Sequence, residues 1–368
     1  MRDVVIDLGE VSREETVPEQ APASSRSLLS FLTVLLLASL AAAVPHVPPV
    51  QPVVLPARLG DAMIVERNRL HVVGAGDSRS AMLLRDRMVT SYLLPEGRRL
   101  SRTSVVATGS VSEVTSVAGV LLVSYQVDTL GSEATVAVVA GTRRELWRVP
   151  ARLLHVSRDA GVAVFLWRSP HRGTRIWYGI DLRSGQRLWT VEQPLGGSTD
   201  VAAFTDGFPR RLVTAAGGRI EVRDTLTGAV VVAADVPTRG FTMRPAGDLV
   251  LIGGSGGLRA YGLDDLRRRW SSPRNLAGGW IEEDCAGLLC LVGFEHGVHA
   301  LDPATGIERW AGEDWTTVAA AGSAVLVTGT DGDERRDPLV VLDPATGAPR
   351  GDFGHWRPAG PPGADGRV

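Results

Sequence analysis

The chain has 368 residues, with 39 basic against 41 acidic side chains and 44% hydrophobic residues, enough for two ordinary domains or one large all-β domain. The near-neutral balance gives no electrostatic case for nucleic-acid binding, which needs a basic stripe. Every basic side chain is arginine, so no side-chain amine is present for Schiff-base chemistry or as a lysine base.

Residues 1–26 hold three arginines and six acids and read as a disordered cytoplasmic tail. Ser27 to Val44 then runs eighteen residues without a charge, about 27 Å as a helix and long enough for a bilayer core. Arg13 and Arg26 precede it and the next charge is Arg58. The positive-inside rule therefore puts the N-terminus in the cytoplasm and the bulk of the chain outside, as a single-pass cell-membrane protein. The rival is a cleaved signal peptide ending near Ala41-Ala42-Ala43. Prolines 45, 48, 49, 52 and 56 make residues 45–59 a stiff spacer.

A repeat fills most of the chain beyond the spacer. Leu301-Asp302-Pro303-Ala304-Thr305-Gly306-Ile307-Glu308-Arg309-Trp310 recurs as Leu342-Asp343-Pro344-Ala345-Thr346-Gly347-Ala348-Pro349-Arg350-Gly351. Looser copies carry Asp181, Gly185 and Trp189, and Asp224 and Gly228. A copy read as shortened carries Asp264 and Trp270, and Glu145-Leu146-Trp147 keeps only the end. The aspartates step by 43, 40, 38 and 41 residues, the spacing of propeller blades. In each copy an apolar strand ends at Asp, whose carboxylate caps the turn. Gly supplies the positive φ, and a second strand restarts with a Trp that packs between sheets.

The unit over 278–312 divides into four strands, and the same division fits 315–353, 242–272, 201–235 and 152–191. A longer unit over about 103–149, with an insertion near Val111–Val117, and a first unit over about 61–95 complete the series. The expected fold is an all-β propeller of about seven four-stranded blades, six to eight being open, over residues 60–355. Residues 356–368 are expected to be a disordered tail, and residues 50–56 to add a strand to the last blade.

The string Ala/Leu-Asp-x-x-Thr-Gly-x-x-x-Trp, best seen at 300–310, resembles the repeat of pyrroloquinoline-quinone-type propellers. That superfamily includes quinoprotein dehydrogenases and an outer-membrane assembly lipoprotein of the same fold. The resemblance implies fold rather than activity, because the repeat is a packing device that enzymes and non-enzymes share. The arginine-only, Ala-, Gly- and Val-rich composition fits a GC-rich bacterium.

Cys285 and Cys290 lie across an expected hairpin, where an oxidising compartment permits a disulfide; two buried thiols are the alternative. The dehydrogenases of the superfamily bridge adjacent cysteines, and this chain has none. Gly253-Gly254-Ser255-Gly256-Gly257 matches a nucleophile elbow in letters only, since a strand follows where a helix is required. His296 and His299 point to opposite faces of an extended chain and share no metal. Asp331–Asp337 reads as a solvated hairpin tip without the ligand spacing of a calcium loop, and Glu282-Glu283-Asp284 as an exposed strand end.

No catalytic, cofactor or metal residue is expected. The reading is a non-catalytic, membrane-anchored extracytoplasmic scaffold that binds a protein or cell-envelope ligand. A quinoprotein oxidoreductase and a small-ligand or glycan sensor with a separate signalling partner are the alternatives.

Overall fold

Strands buried on both faces read as continuous apolar runs, and Val162–Arg168 (Val-Ala-Val-Phe-Leu-Trp-Arg) shows why. Ala163 and Phe165 pack toward the preceding sheet, while Val164 and Leu166 pack toward the next. In the computed structural model this pattern repeats through seven antiparallel sheets of four consecutive strands each, a seven-bladed β-propeller. The structure describes residues 54–355, apart from 76–85, 129–130, 170–173, 194–195, 237–241, 255, 275–278, 294–296, 322–323 and 330–337. The sheets fall within one unit, Leu55–Val368.

Blade 1 comprises β1 (Ala62–Glu66), β2 (Arg69–Ala75), β3 (Asp86–Leu93) and β4 (Arg98–Val106). Blade 2 comprises β5 (Val111–Val117), β6 (Val120–Gln126), β7 (Glu133–Val139) and β8 (Glu145–Val149). Blade 3 follows with β9 (Arg152–Ser157), β10 (Val162–Arg168), β11 (Arg175–Asp181) and β12 (Arg187–Glu192). Blade 4 holds β13 (Ser198–Thr205), β14 (Phe208–Ala216), β15 (Arg219–Asp224) and β16 (Val230–Asp235). Blade 5 holds β17 (Thr242–Ala246), β18 (Leu249–Gly254), β19 (Gly257–Gly262) and β20 (Arg268–Ser272). Blade 6 is β21 (Gly279–Cys285), β22 (Leu288–Gly293), β23 (Gly297–Leu301) and β24 (Glu308–Gly312). Blade 7 is β25 (Trp315–Ala321), β26 (Ala324–Gly329), β27 (Pro338–Leu342) and β28 (Pro349–His355).

The first strands of successive blades face one another, β13 to β17, β17 to β21 and β21 to β25, so they are innermost and the fourth strands form the rim. Among the described residues, six apolar clusters each join two consecutive blades, from blades 1 and 2 through blades 6 and 7. The core therefore lies between sheets rather than within one.

Two expected boundaries move. Val111–Val117 is no insertion but the innermost strand of blade 2, and Arg98–Val106 closes blade 1 rather than opening blade 2. Both turns that end the third strands of these blades lack the aspartate that marks blades 3, 4, 6 and 7, so the sequence offered no mark there. The last blade takes all four strands from Trp315–His355. The described part of residues 50–56 adds no strand to it.

The turns between third and fourth strands explain the repeat. Asp302 Oδ1 accepts the N–H groups of Ala304 (2.9 Å) and Thr305 (3.2 Å), and Gly306 N–H returns to Asp302 O (2.8 Å) with φ 70°. Asp343 and Gly347, Asp224 and Gly228, and Asp181 and Gly185 do the same. In blades 2, 3, 5 and 6 the Trp of the fourth strand then lies on the turn glycine of the next blade. A Cβ at Gly347 would stand 2.7 Å from Trp310 Cδ2, and one at Gly185 would stand 2.5 Å from Trp147 Cγ. Trp147, Trp270 and Trp310 also donate Nε1–H to the carbonyls of Leu182, Pro303 and Pro344. Trp189 meets Gly228 in the same way, yet its buried Nε1 has no partner.

Blade 5 corrects the reading of Asp264. Gly262 N–H bonds Arg267 O, and Leu266 N–H bonds Gly262 O. Gly262 therefore occupies the aspartate position and Leu266 the glycine position, with Trp270 eight residues after Gly262 as Trp310 is after Asp302. The turn is full length. Leu266 takes φ 50° and is 5% exposed. It clusters with Val232 of blade 4, which stands where other blades carry Trp. A leucine from the turn thus fills the space that a tryptophan from the strand fills elsewhere.

Candidate functional site at the inner turns

The repeat residues sit in the outer turns and hold blades together. Asp181 is held below its ordinary carboxyl range by the Ser184 side chain first and backbone N–H groups next. Asp302 is lowered chiefly by Arg309, and Asp343 chiefly by the Ala345 N–H. Asp264 instead accepts Arg211 of blade 4 at 3.1 Å. Cys285 and Cys290 are joined across the β21–β22 hairpin, with Cα atoms 5.9 Å apart and both side chains fully buried.

Charged groups that the repeat did not flag gather where inner turns of blades 1 to 4 meet. Alternation turns His71 of β2 to the face that packs on blade 2, where it is wholly buried. There His71 Nδ1 lies 2.9 Å from Ser91 Oγ and Nε2 lies 3.3 Å from Glu66 Oε2. Glu66, the last residue of β1, also accepts the Ser116 N–H at Oε2 (2.8 Å) and Arg158 Nη2 at Oε1 (2.5 Å). Burial alone would raise its pKa. The His71 and Ser116 hydrogen bonds and the Arg158 charge outweigh burial and lower it. Arg69 binds Ser116 Oγ at 2.6 Å.

On blade 4, Asp206 and Gly207 take φ 51° and 79° in the β13–β14 turn, the positive pair that a tight hairpin favours with Asp-Gly. That turn presents Asp206 O to Arg67 Nη2 at 3.4 Å. Beside it, His155 meets Phe204 edge-on, with ring centres 5.3 Å apart. Burial pushes the His155 pKa down to about 4 against a backbone hydrogen bond with Gly207, so the ring is neutral near pH 7. Burial likewise raises Glu113, opposed by Arg152 and Thr115.

These turns enclose a cleft of about 360 Å³ with Val156 and Phe208 in its wall and Arg67, Arg158, Arg210, Asp159 and Asp206 around it. An adjoining hollow reaches Glu113 and His155. Sequence reading missed all of these residues. The one local signal was the Asp206-Gly207 pair, because the contacts that join the blades here span 50 to 139 residues.

The remaining sequence candidates fall elsewhere. Gly254 pairs with Gly257 in a strand-to-strand hairpin. His299 Nδ1 lies 3.1 Å from Glu308 Oε2, while His296 and the loop 331–337 are outside the described residues. Glu282–Asp284 run in β21. Among the described residues no group of three or more His, Cys, Asp or Glu could hold a metal ion, and no helix is long and apolar enough to cross a membrane. Residues 27–44 lie outside the described residues.

The cleft's two carboxylates, Asp159 and Asp206, stand among Arg67, Arg158 and Arg210, and among the described residues no group of three or more ligating side chains could hold a calcium ion, so the cleft does not fit a quinone with its metal. Its geometry suits recognition: fixed backbone turns, an apolar wall and guanidinium and carboxylate groups at the rim.

No family model and no curated protein matches the chain. BamB from Moraxella catarrhalis is a similar solved structure, at 18% identity, covering 80% of this chain and 84% of that one with a TM-score of 0.47. Dihydro-heme d1 dehydrogenase NirN in complex with DHE is similar at 14% identity over 86% and 78%, TM-score 0.46. The quinohemoprotein alcohol dehydrogenase ADHIIG from Pseudomonas putida HK5 is similar at 12% over 76% and 62%, TM-score 0.40.

Proposed function

We propose that this protein is a non-catalytic propeller scaffold, anchored in the cell membrane through residues 27–44 and binding a protein partner outside the cytoplasm. The convergence of turns from blades 1, 3 and 4 on one charged cleft carries the reading, since a site of this form recognises a ligand through several loops at once. The Cys285–Cys290 bond supports an oxidising compartment. The anchor rests on the uncharged eighteen-residue run and its flanking arginines.

A photo-crosslinking residue in place of Thr205 in the native envelope tests this. A discrete adduct lost in the R67A/R210A variant is the expected result. Calorimetric titration of the full chain with pyrroloquinoline quinone and calcium runs beside it. Saturable heat there, with no adduct, would replace this reading by the oxidoreductase one.

A further inference from the structure

The blades differ in one electrical respect. In blades 6 and 7 the first turn residue, Asp302 or Asp343, binds the arginine seven residues later, Arg309 or Arg350. In blade 5 Asp265 holds Arg269 at 2.9 Å. The backbone bonds Gly97 N–H to Leu93 O and Val139 N–H to Arg144 O identify the same position in blades 1 and 2 as Leu93 and Val139. The acid is missing at this position in blades 1 and 2, whose turns run into the arginine pairs Arg98-Arg99 and Arg143-Arg144.

Arg98, Arg99, Arg143 and Arg144 are all exposed. Among the described residues, none has a carboxylate within ion-pair distance. The blade 2 turn lies against β4, since Gly141 N–H donates to Thr103 Oγ1 at 2.9 Å. The acids of the two turns are Glu96 and Glu145, and Glu145 is already held by Arg148 at 2.7 Å. A chain whose charges otherwise nearly cancel thus carries a concentrated positive surface on the rim of blades 1 and 2.

We propose that this surface docks an extended acidic segment of a partner protein, which adds to the outer edge of β4 as a fifth strand of blade 1. β4 is the longest rim strand, nine residues against five to seven in the other blades. It ends its sheet. Its last carbonyl, Val106 O, accepts Arg148 Nη2 at 3.1 Å, so an added strand would end short of Val106. Leu100, 38% exposed, offers apolar contact between the guanidinium groups.

Strand addition supplies main-chain hydrogen bonds, and arginine forks take carboxylates two oxygens at a time. Arginines on an edge strand also keep sheets from pairing with one another. That role does not account for Arg143 and Arg144, which sit in a turn. A phosphate polymer would meet the same charge but make no use of the strand edge. The surface is separate from the inner cleft and does not depend on it.

The test is fluorescence anisotropy of the full chain in neutral detergent with a fluorescein-labelled nonapeptide of alternating Glu and Thr. Saturable binding is expected, weakened at least tenfold by R98A/R99A/R143A/R144A and also by Leu93→Asp, which restores the missing acid. The same peptide N-methylated at alternate residues is expected to bind at least tenfold more weakly, because strand pairing is blocked. Unchanged melting of the quadruple variant establishes that it is folded. No saturable binding, binding indifferent to the arginines, or equal binding of the methylated peptide overturns the proposal. So does a preference for phosphatidylglycerol vesicles or polyphosphate over the peptide. The R67A/R210A variant measured alongside separates this surface from the cleft.

Discussion

At the inner turns each ionisable group has a separate physical state. His155 is half-buried, its pKa is about 4 in the fold, and it returns to about 6.5 when unfolded. Stability is therefore full above about pH 6.5 and falls as pH drops toward about 4, by on the order of 2–3 kcal/mol. His155→Gln is expected to flatten that slope in denaturant titrations across the window. Glu113 has the opposite sign, because burial raises a carboxyl that is ordinary in the unfolded chain. Its ionisation costs stability as pH rises above the unfolded value, so Glu113→Gln is expected to raise the Tm at pH 7 and leave it unchanged in acid. Glu66 is lowered, so its contribution is present at neutral pH and is lost as pH falls through its folded value.

At the scale of the element, the outer turn and the preceding blade's tryptophan act as one joint. Gly347 combines φ 69° with close approach to Trp310. Gly347→Ala is expected to cost at least ~2 kcal/mol by chemical denaturation, part strain and part overpacking. Val232 and Leu266 form the variant joint. Val232→Trp should overpack it and Leu266→Gly should hollow it, each costing ~2–3 kcal/mol. The double variant is expected to recover ~1–3 kcal/mol of the summed loss, which a double-mutant cycle measures; additive losses would mean that the two residues do not share one space. The repeat was legible because each full copy carries its aspartate, glycine and tryptophan within eight residues, although the tryptophan of one copy meets the glycine of the next. Asp264 was misplaced because a glycine and a leucine had taken the marked positions.

Over the whole molecule, blade 1 is tied to blades 2, 3 and 4 at their inner turns by Glu66 and Arg67. Arg158→Ala leaves a mostly buried Glu66 with one oxygen unpaired. It is expected to lower stability by ~1–2 kcal/mol and to speed amide hydrogen exchange first in β1 and β2. Uniform acceleration through all blades would show that the pair acts only on global unfolding.

Short apolar strands and a turn motif recurring near every forty residues determined the all-β propeller, its four-stranded blades and the joint between neighbours. Those features follow from burial on both faces of a strand and from turn geometry, which residues close in the chain encode. The tertiary structure decided the first two blade boundaries, the exchange of Trp and Gly for Val and Leu between blades 4 and 5, and both charged surfaces. The cleft joins turns as much as 139 residues apart, and the rim surface arises where the structural equivalents of Asp302 are apolar. Neither leaves a local pattern, because charge proximity across blades is set by the ring and not by spacing along the chain.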